Sequence, residues 1–271
     1  MNWKRLIIGK WNWKRPFISL GSIYLMLAVF AVSCADNVIF QPPDPTYTRE
    51  IKGFTTITTT EHRTVAALHL KAKPDARTII YSHGNAEDIG QLIEIFTALN
   101  DRGFGIIAYD YPGYGLSPGK PSETATEQSI QAAWDYAMQS GISPSDVVIL
   151  GQSIGSGPSV WLSSNKEPAG MILISPMKSV YSIPFGYPIF PGDRFPNLKR
   201  IRKIRTPLLV IHGKQDEVIP YGHGVAIHEA SAAGKKFLKT IENCGHNDLY
   251  FRASDEIFDS IVRFIHDLPK H

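Results

Sequence analysis

The chain has 271 residues, 43% hydrophobic and 20% charged, which is ample material for a globular core and too little charge bias for a disordered chain. The formal net charge of +3 misrepresents the body: Lys4, Arg5, Lys10, Lys14 and Arg15 all precede position 16, so the remainder carries about −2. A slightly acidic body gives no basis for a nucleic-acid partner, and Cys34 and Cys244 alone cannot make a disulfide framework.

Residues 1–35 read as a targeting segment: a signal, a lipoprotein signal or a membrane anchor. The basic start is followed by twenty uncharged residues, 16–35, including Ile23-Tyr24-Leu25-Met26-Leu27-Ala28-Val29-Phe30. That length is enough to span a bilayer. The positive-inside rule keeps the basic end in the cytoplasm and sends the rest across, placing the body on the exported, periplasmic or extracytoplasmic side. Ala31-Val32-Ser33-Cys34 resembles a bacterial lipobox, with alanine where leucine is usual. Cleavage there would leave Cys34 to be lipidated; the other reading is an uncleaved anchor with Cys34 as one more apolar residue. Both tether the body to a membrane. Residues 36–52, with Pro42, Pro43 and Pro45, read as an extended linker, and 53–271 as one domain.

From Gly53 a βα rhythm begins. Phe54–Thr60 and Thr64–Lys71 predict an antiparallel pair at a sheet edge. Thr78–Ser82 predicts a buried strand, and Ile89, Leu92, Ile93, Phe96 and Leu99 then recur at helical spacing up to Gly103. A strand over 105–110 leads into a glycine-rich loop, and Ile130, Ala133, Trp134, Ala137 and Met138 mark a helix stopped at Gly141. Further strands are predicted at Val147–Leu150, Met171–Ser175, Leu208–His212 and Lys236–Ile241, with a last helix through Ile257, Ile261, Phe264 and Ile265. The alternation implies an α/β fold: a mostly parallel sheet with helices on both faces.

The buried strand at Val147 runs directly into Gly151-Gln152-Ser153-Ile154-Gly155 and then a helical pattern. A serine at a sharp strand-to-helix turn is a nucleophile elbow. Gly115-Leu116-Ser117-Pro118-Gly119 fits the same five-residue pattern. The residue after the nucleophile must lend a backbone N–H to the oxyanion; Ile154 has one and Pro118 does not. Ser117 is therefore read as a loop serine. The acid belongs in a loop after a later strand, which offers Asp216 with Glu217 as the fallback. Of the histidines that follow, His223 and His228 lie in a helical stretch, and His266 and His271 in or beyond the last helix. His246 is in a loop directly after a strand and is the candidate base. Asn85, after the strand ending at Ser82, is the candidate second oxyanion donor beside Ile154, and His83 reads as a structural side chain. No metal-ligand spacing and no cofactor motif is present, and Cys244 reads as a small loop residue.

Five stretches resemble the α/β-hydrolases, and within them the branch of animal protein depalmitoylases and their bacterial and fungal relatives, serine aminopeptidase-like enzymes among them. They are Ser82–Gln91, Asp110–Gly115, Gly151–Gly155, His212–Ile219 and Gly245–Asp248, within about residues 40–267. The resemblance implies an α/β-hydrolase fold, a Ser153–Asp216–His246 triad and an oxyanion hole at Asn85 and Ile154. The segment 176–205 has room for only a short lid; Tyr181, Phe185, Tyr187, Phe190 and Phe195 among prolines suggest an apolar collar, with ordinary packing as the plainer reading. The basic run Lys199–Arg205 is read as a solvated face with its isoleucines turned inward. The function expected is hydrolysis of acyl esters or thioesters, lipid- or protein-linked. The alternatives are an amidase or peptidase and a non-catalytic membrane-tethered scaffold.

Overall fold

The computed structural model describes residues 13–269; Lys4, Arg5 and Lys10 of the basic start, and His271, lie outside the described residues. An apolar helix, α1 (Lys14–Ile39), comes first. Its stretch Pro16–Ile39 is long and apolar enough to cross a membrane, about 36 Å at the α-helical rise. Phe17, Leu25, Met26 and Phe30 are exposed. The helix continues four residues past Ala35, into the stretch read as linker. It also touches the body: the Tyr24 hydroxyl donates to Ile189 O at 3.1 Å and that of Tyr181 to Ala31 O at 2.5 Å. Arg194 pairs with Asp36 at 2.9 Å.

The body is an eight-stranded sheet: β1 (Phe54–Thr58), β2 (Thr64–Leu70), β3 (Thr78–Ser82), β4 (Gly105–Tyr109), β5 (Val147–Gln152), β6 (Gly170–Ile174), β7 (Leu208–Gly213) and β8 (Lys236–Ile241). Their spatial order is β1-β2-β4-β3-β5-β6-β7-β8. β1 and β2 form the antiparallel edge, β2 meets β4 antiparallel, and the rest pair in parallel. After α1 come α2 (Ile93–Asp101), α3 (Glu123–Gln139), α4 (Ser156–Ser163), two short helical segments at Ser182–Phe185 and Asn197–Ile201, α5 (Gly222–Ala230) and α6 (Leu249–His266).

The two-residue period of the strands divides their side chains between two apolar layers. Ile79, Tyr81, Val148 and Leu150 pack with Phe96 and Leu99 of α2 and Ile257, Ile261 and Phe264 of α6. Ile80, Val147 and Ile149 point the other way, onto Ile130, Ala133 and Trp134 of α3. Because the central strands are covered on both faces, they read as unbroken apolar runs. Ile149 is fully buried, and Ile149→Ala is expected to lower the unfolding free energy by about 3 kcal/mol in a denaturant titration. Parallel pairing points the carboxyl ends of β3, β5, β7 and β8 the same way. The loops that leave those ends carry the candidate residues.

Candidate active site

β5 ends at Gln152, and the chain turns at once into a single helical turn, Ser153–Gly155, and then α4. Ser153 has φ of 53°, the left-handed region, a conformation that costs a non-glycine residue about 1–3 kcal/mol. The turn is possible because both flanking residues lack a side chain. A Cβ on Gly151 would lie 2.5 Å from Gly155 O, and one on Gly155 would lie 2.6 Å from His83 O and nearer still to Ser82 O. Those obstacles are backbone and cannot step aside. Gly155→Ala is therefore expected to lower stability by roughly 3 kcal/mol, read as a drop in melting temperature.

The three residues singled out as nucleophile, base and acid meet above the strand ends. Ser153 Oγ is 2.9 Å from His246 Nε2, and His246 Nδ1 is 2.8 Å from Asp216 Oδ2. Ser153 comes from the β5 turn, Asp216 from the loop after β7 and His246 from the loop after β8. Asp216 Oδ1 accepts the N–H groups of Val218 at 3.0 Å and Ile219 at 2.7 Å. Burial alone would raise the Asp216 carboxyl, but hydrogen bonds from His212, His246 and the Ile219 N–H hold it well below the usual carboxylate range. Glu217, the fallback acid, reaches the His246 backbone N–H at 3.3 Å and not the ring. Ser117, in the second five-residue match, is buried: its Oγ donates to Asp110 O at 3.0 Å and accepts the Ala66 N–H at 2.8 Å. It braces the sheet edge.

The chain has recognisable relatives among known proteins. Residues 73–189 match the family model described as serine aminopeptidase, S33. Alpha/beta hydrolase domain-containing protein 17B of Homo sapiens is 38% identical over 248 residues, covering 79% of this chain and 85% of the relative. The 17C protein of Mus musculus is 38% identical over 211 residues, covering 76% and 65%. The chain belongs to the alpha/beta hydrolase domain-containing protein 17 family. Solved structures share the fold at low identity. An esterase of Exiguobacterium antarcticum superposes with a TM-score of 0.66 at 17% identity, covering 79% of this chain and 99% of its own. Est1E of Butyrivibrio proteoclasticus, solved with ferulic acid, does so with 0.65 at 19%, covering 79% and 98%.

In this hydrolase His83 and Asn85 leave the end of β3 together. His83 is fully buried, with Nδ1 2.7 Å from Gly84 O and its ring 4.1 Å from that of Tyr111. Burial lowers its imidazole to about 4, so it stays neutral. Ile154 follows the serine in its helical turn, and Asn85 lies in the loop after β3, whose Gly84 approaches the serine: a Cβ there would lie 3.6 Å from Ser153 Cβ. Among the described residues no group of three or more His, Cys, Asp or Glu is arranged to hold a metal ion. Cys244 is buried, and burial pushes its thiol up, away from the thiolate a nucleophile needs. Cys34 lies half-buried on α1.

Three features of the site had no counterpart in the reading of the sequence. His212, at the end of β7, lies with Nε2 3.2 Å from Asp216 Oδ2 and 2.9 Å from Ile219 O, sharing that carboxylate oxygen with His246. Its only sequence signal was its place in the His212–Ile219 motif. Glu87 Oε1 accepts the Gly84 N–H at 2.5 Å. Burial pushes this carboxyl up to about 7, against the pull of the Gly84 N–H and of His246. A raised acid binds its proton more tightly folded than unfolded, so stability falls as pH rises from about 4.5 towards 7. Glu87→Gln is expected to shrink the drop in melting temperature between pH 5 and pH 8. The third is the segment after α1, expected as an extended linker, whose backbone is bonded to the Asn85 side chain in the loop after β3.

The collar meets α1 through Tyr181, Ile189 and a stacked Tyr24–Phe190 pair 5.7 Å apart; the side chain of Phe185 is outside the described ones. A cleft of about 300 Å³ opens beside it, lined by Tyr187, Pro188, Leu198, Lys178 and Arg202. In the basic run Ile201 and Ile204 are buried, while Lys199, Arg202, Lys203 and Arg205 face solvent.

Proposed function

We propose that this protein is a membrane-tethered serine hydrolase that cleaves carboxylic ester or thioester acyl bonds through an acyl-enzyme. The observation that carries the reading is the unbroken line from Ser153 Oγ through His246 to Asp216, at 2.9 and 2.8 Å, with the serine at the left-handed turn. His246 Nε2 takes the Ser153 proton as Oγ attacks the acyl carbonyl. The backbone N–H groups of Asn85 and Ile154 hold the oxyanion. Asp216 keeps the imidazole in the tautomer with Nδ1–H and balances the imidazolium that forms. His246 then hands its proton to the departing alcohol or thiol, and water, activated the same way, releases the acid.

The match to a serine aminopeptidase model favours a second reading, amide cleavage, because the same groups act on a harder carbonyl. Initial rates of the full-length chain on p-nitrophenyl esters from acetyl to palmitoyl, beside acyl thioesters and aminoacyl p-nitroanilides, separate the two. Ester or thioester rates above anilide rates are expected. No turnover of any of them, with Ser153 unlabelled by a fluorophosphonate, would leave only a tethered scaffold.

The apolar span of α1, and the basic residues before it, support anchorage with the catalytic body on the exported side. The contacts of Tyr24 with Ile189 and of Ala31 with Tyr181, both lost if the chain is cut before Cys34, favour a retained helix. Intact mass of the purified protein checks this: a chain starting at an acylated Cys34 would establish the lipoprotein form.

A further inference from the structure

The segment that leaves α1 does not hang free. Between Ile39 and Tyr47 it crosses the loop after β3, and its backbone is bonded to the side chain of Asn85. The Asn85 amide donates to Ile39 O at 2.6 Å, and its Oδ1 accepts the Gln41 N–H at 3.0 Å. The Tyr114 hydroxyl joins both partners, accepting the Gln41 N–H at 3.0 Å and donating to Asn85 Oδ1 at 2.6 Å. Burial pushes the Tyr114 phenol well above its ordinary value, so at neutral pH it keeps the proton it donates.

The same segment holds the rest of the loop. The Thr46 N–H reaches Asp88 Oδ2 at 2.8 Å, its hydroxyl donates to Asp88 Oδ1, and that oxygen also takes the N–H groups of Gly90 and Gln91. The Tyr47 hydroxyl donates to Asp110, whose other oxygen accepts the Ile89 N–H at 2.9 Å. Phe40 is buried, its ring edge-on to Phe195 at 6.2 Å.

We propose that residues 39–47 are a positioning strap for the oxyanion loop: by clamping the Asn85 side chain they aim the Asn85 backbone N–H. The inference rests on the reading of Ser153 as nucleophile and of Asn85 and Ile154 as oxyanion donors. A cover that only hides apolar surface would be served by Phe40 and Tyr47. It would not need two backbone groups and a buried phenol converging on one side-chain amide. The side chain and the N–H of Asn85 leave the same Cα, so holding the amide at several points limits the swing of the N–H. Catalytic geometry is sensitive on that scale, since a displacement of about 1 Å can cost on the order of 10²-fold.

The test uses the full-length chain in detergent micelles. Phe40 has φ −88° and ψ 128°, the extended conformation that a residue before proline adopts. Gln41→Pro thus deletes the Gln41 N–H without a conflict at Phe40. Gln41→Ala keeps the N–H and loses only an exposed side chain. Tyr114→Phe removes the hydroxyl between strap and Asn85. With p-nitrophenyl butyrate, Gln41→Pro is expected to lose about tenfold in kcat with KM within about twofold. Gln41→Ala should match the parent, and Tyr114→Phe should fall in the same direction as Gln41→Pro. Melting temperatures are read in parallel. Parental kcat in both Gln41→Pro and Tyr114→Phe overturns the strap. So does a loss in Gln41→Ala equal to that in Gln41→Pro. Ser153→Ala is run alongside: undiminished turnover there would remove the underlying reading of the site, a different failure from parental turnover in the strap variants.

Discussion

Ser153→Ala is expected to cut kcat on p-nitrophenyl esters by about 10⁴-fold or more, down to what binding and the oxyanion donors give without a nucleophile. The melting temperature should stay within a few degrees, because the substitution removes one hydroxyl from a side chain already at φ 53° and adds no volume. The turn is held by Gly151, Gly155 and their backbone neighbours, none of which changes. Fluorophosphonate labelling should disappear with turnover. Retained labelling would place the nucleophile elsewhere, and Ser117 is no substitute, since its hydroxyl is buried between Asp110 O and the Ala66 N–H.

The second large effect is at Asp216, where the geometry decides the sign of an otherwise conservative change. Oδ1 accepts two backbone N–H groups, from Val218 and Ile219, so in Asp216→Asn the amide oxygen must occupy that position. The amide NH₂ is then turned towards His246 Nδ1, where an acceptor is needed. His246 Nδ1 can only accept from it, the ring proton moves to Nε2, and that nitrogen can no longer take the serine proton. A fall in kcat of about 10⁴-fold at neutral pH is expected, whereas Glu217→Gln should change kcat by less than about threefold, since its contact is to the His246 backbone.

Stability supplies an independent check on the same residue. The Asp216 carboxyl is depressed in the folded state, so its contribution is fully present above the ordinary carboxylate range and is lost as pH falls below it. The melting-temperature gap between the parent and Asp216→Asn should therefore be wide at pH 7 and close below about pH 4. A gap that stays constant with pH would show that the carboxylate's charge is not what stabilises the loop.

Much of this protein was legible in its sequence because the signals are local. The apolar run 16–35, the unbroken strands such as Val147–Leu150, the helical spacing of Ile257, Ile261 and Phe264, and the Gly151–Gly155 elbow each follow from a repeat or a steric need confined to a few residues. The choice of Ser153 over Ser117 came from the missing N–H of Pro118, and that of His246 from its position after a strand. The tertiary structure decided the rest. Nothing local shows that Gln41 bonds Asn85, forty-four positions away, or that His212 shares Asp216 with a ring thirty positions beyond the acid. The proline-rich stretch 40–47 has the composition of a free linker, and composition describes what a segment does alone. Its polar groups acquire partners only when the parallel sheet brings the loop after β3 beneath them. Contacts of that kind depend on the register and order of distant strands, and they leave no period in the chain that makes them.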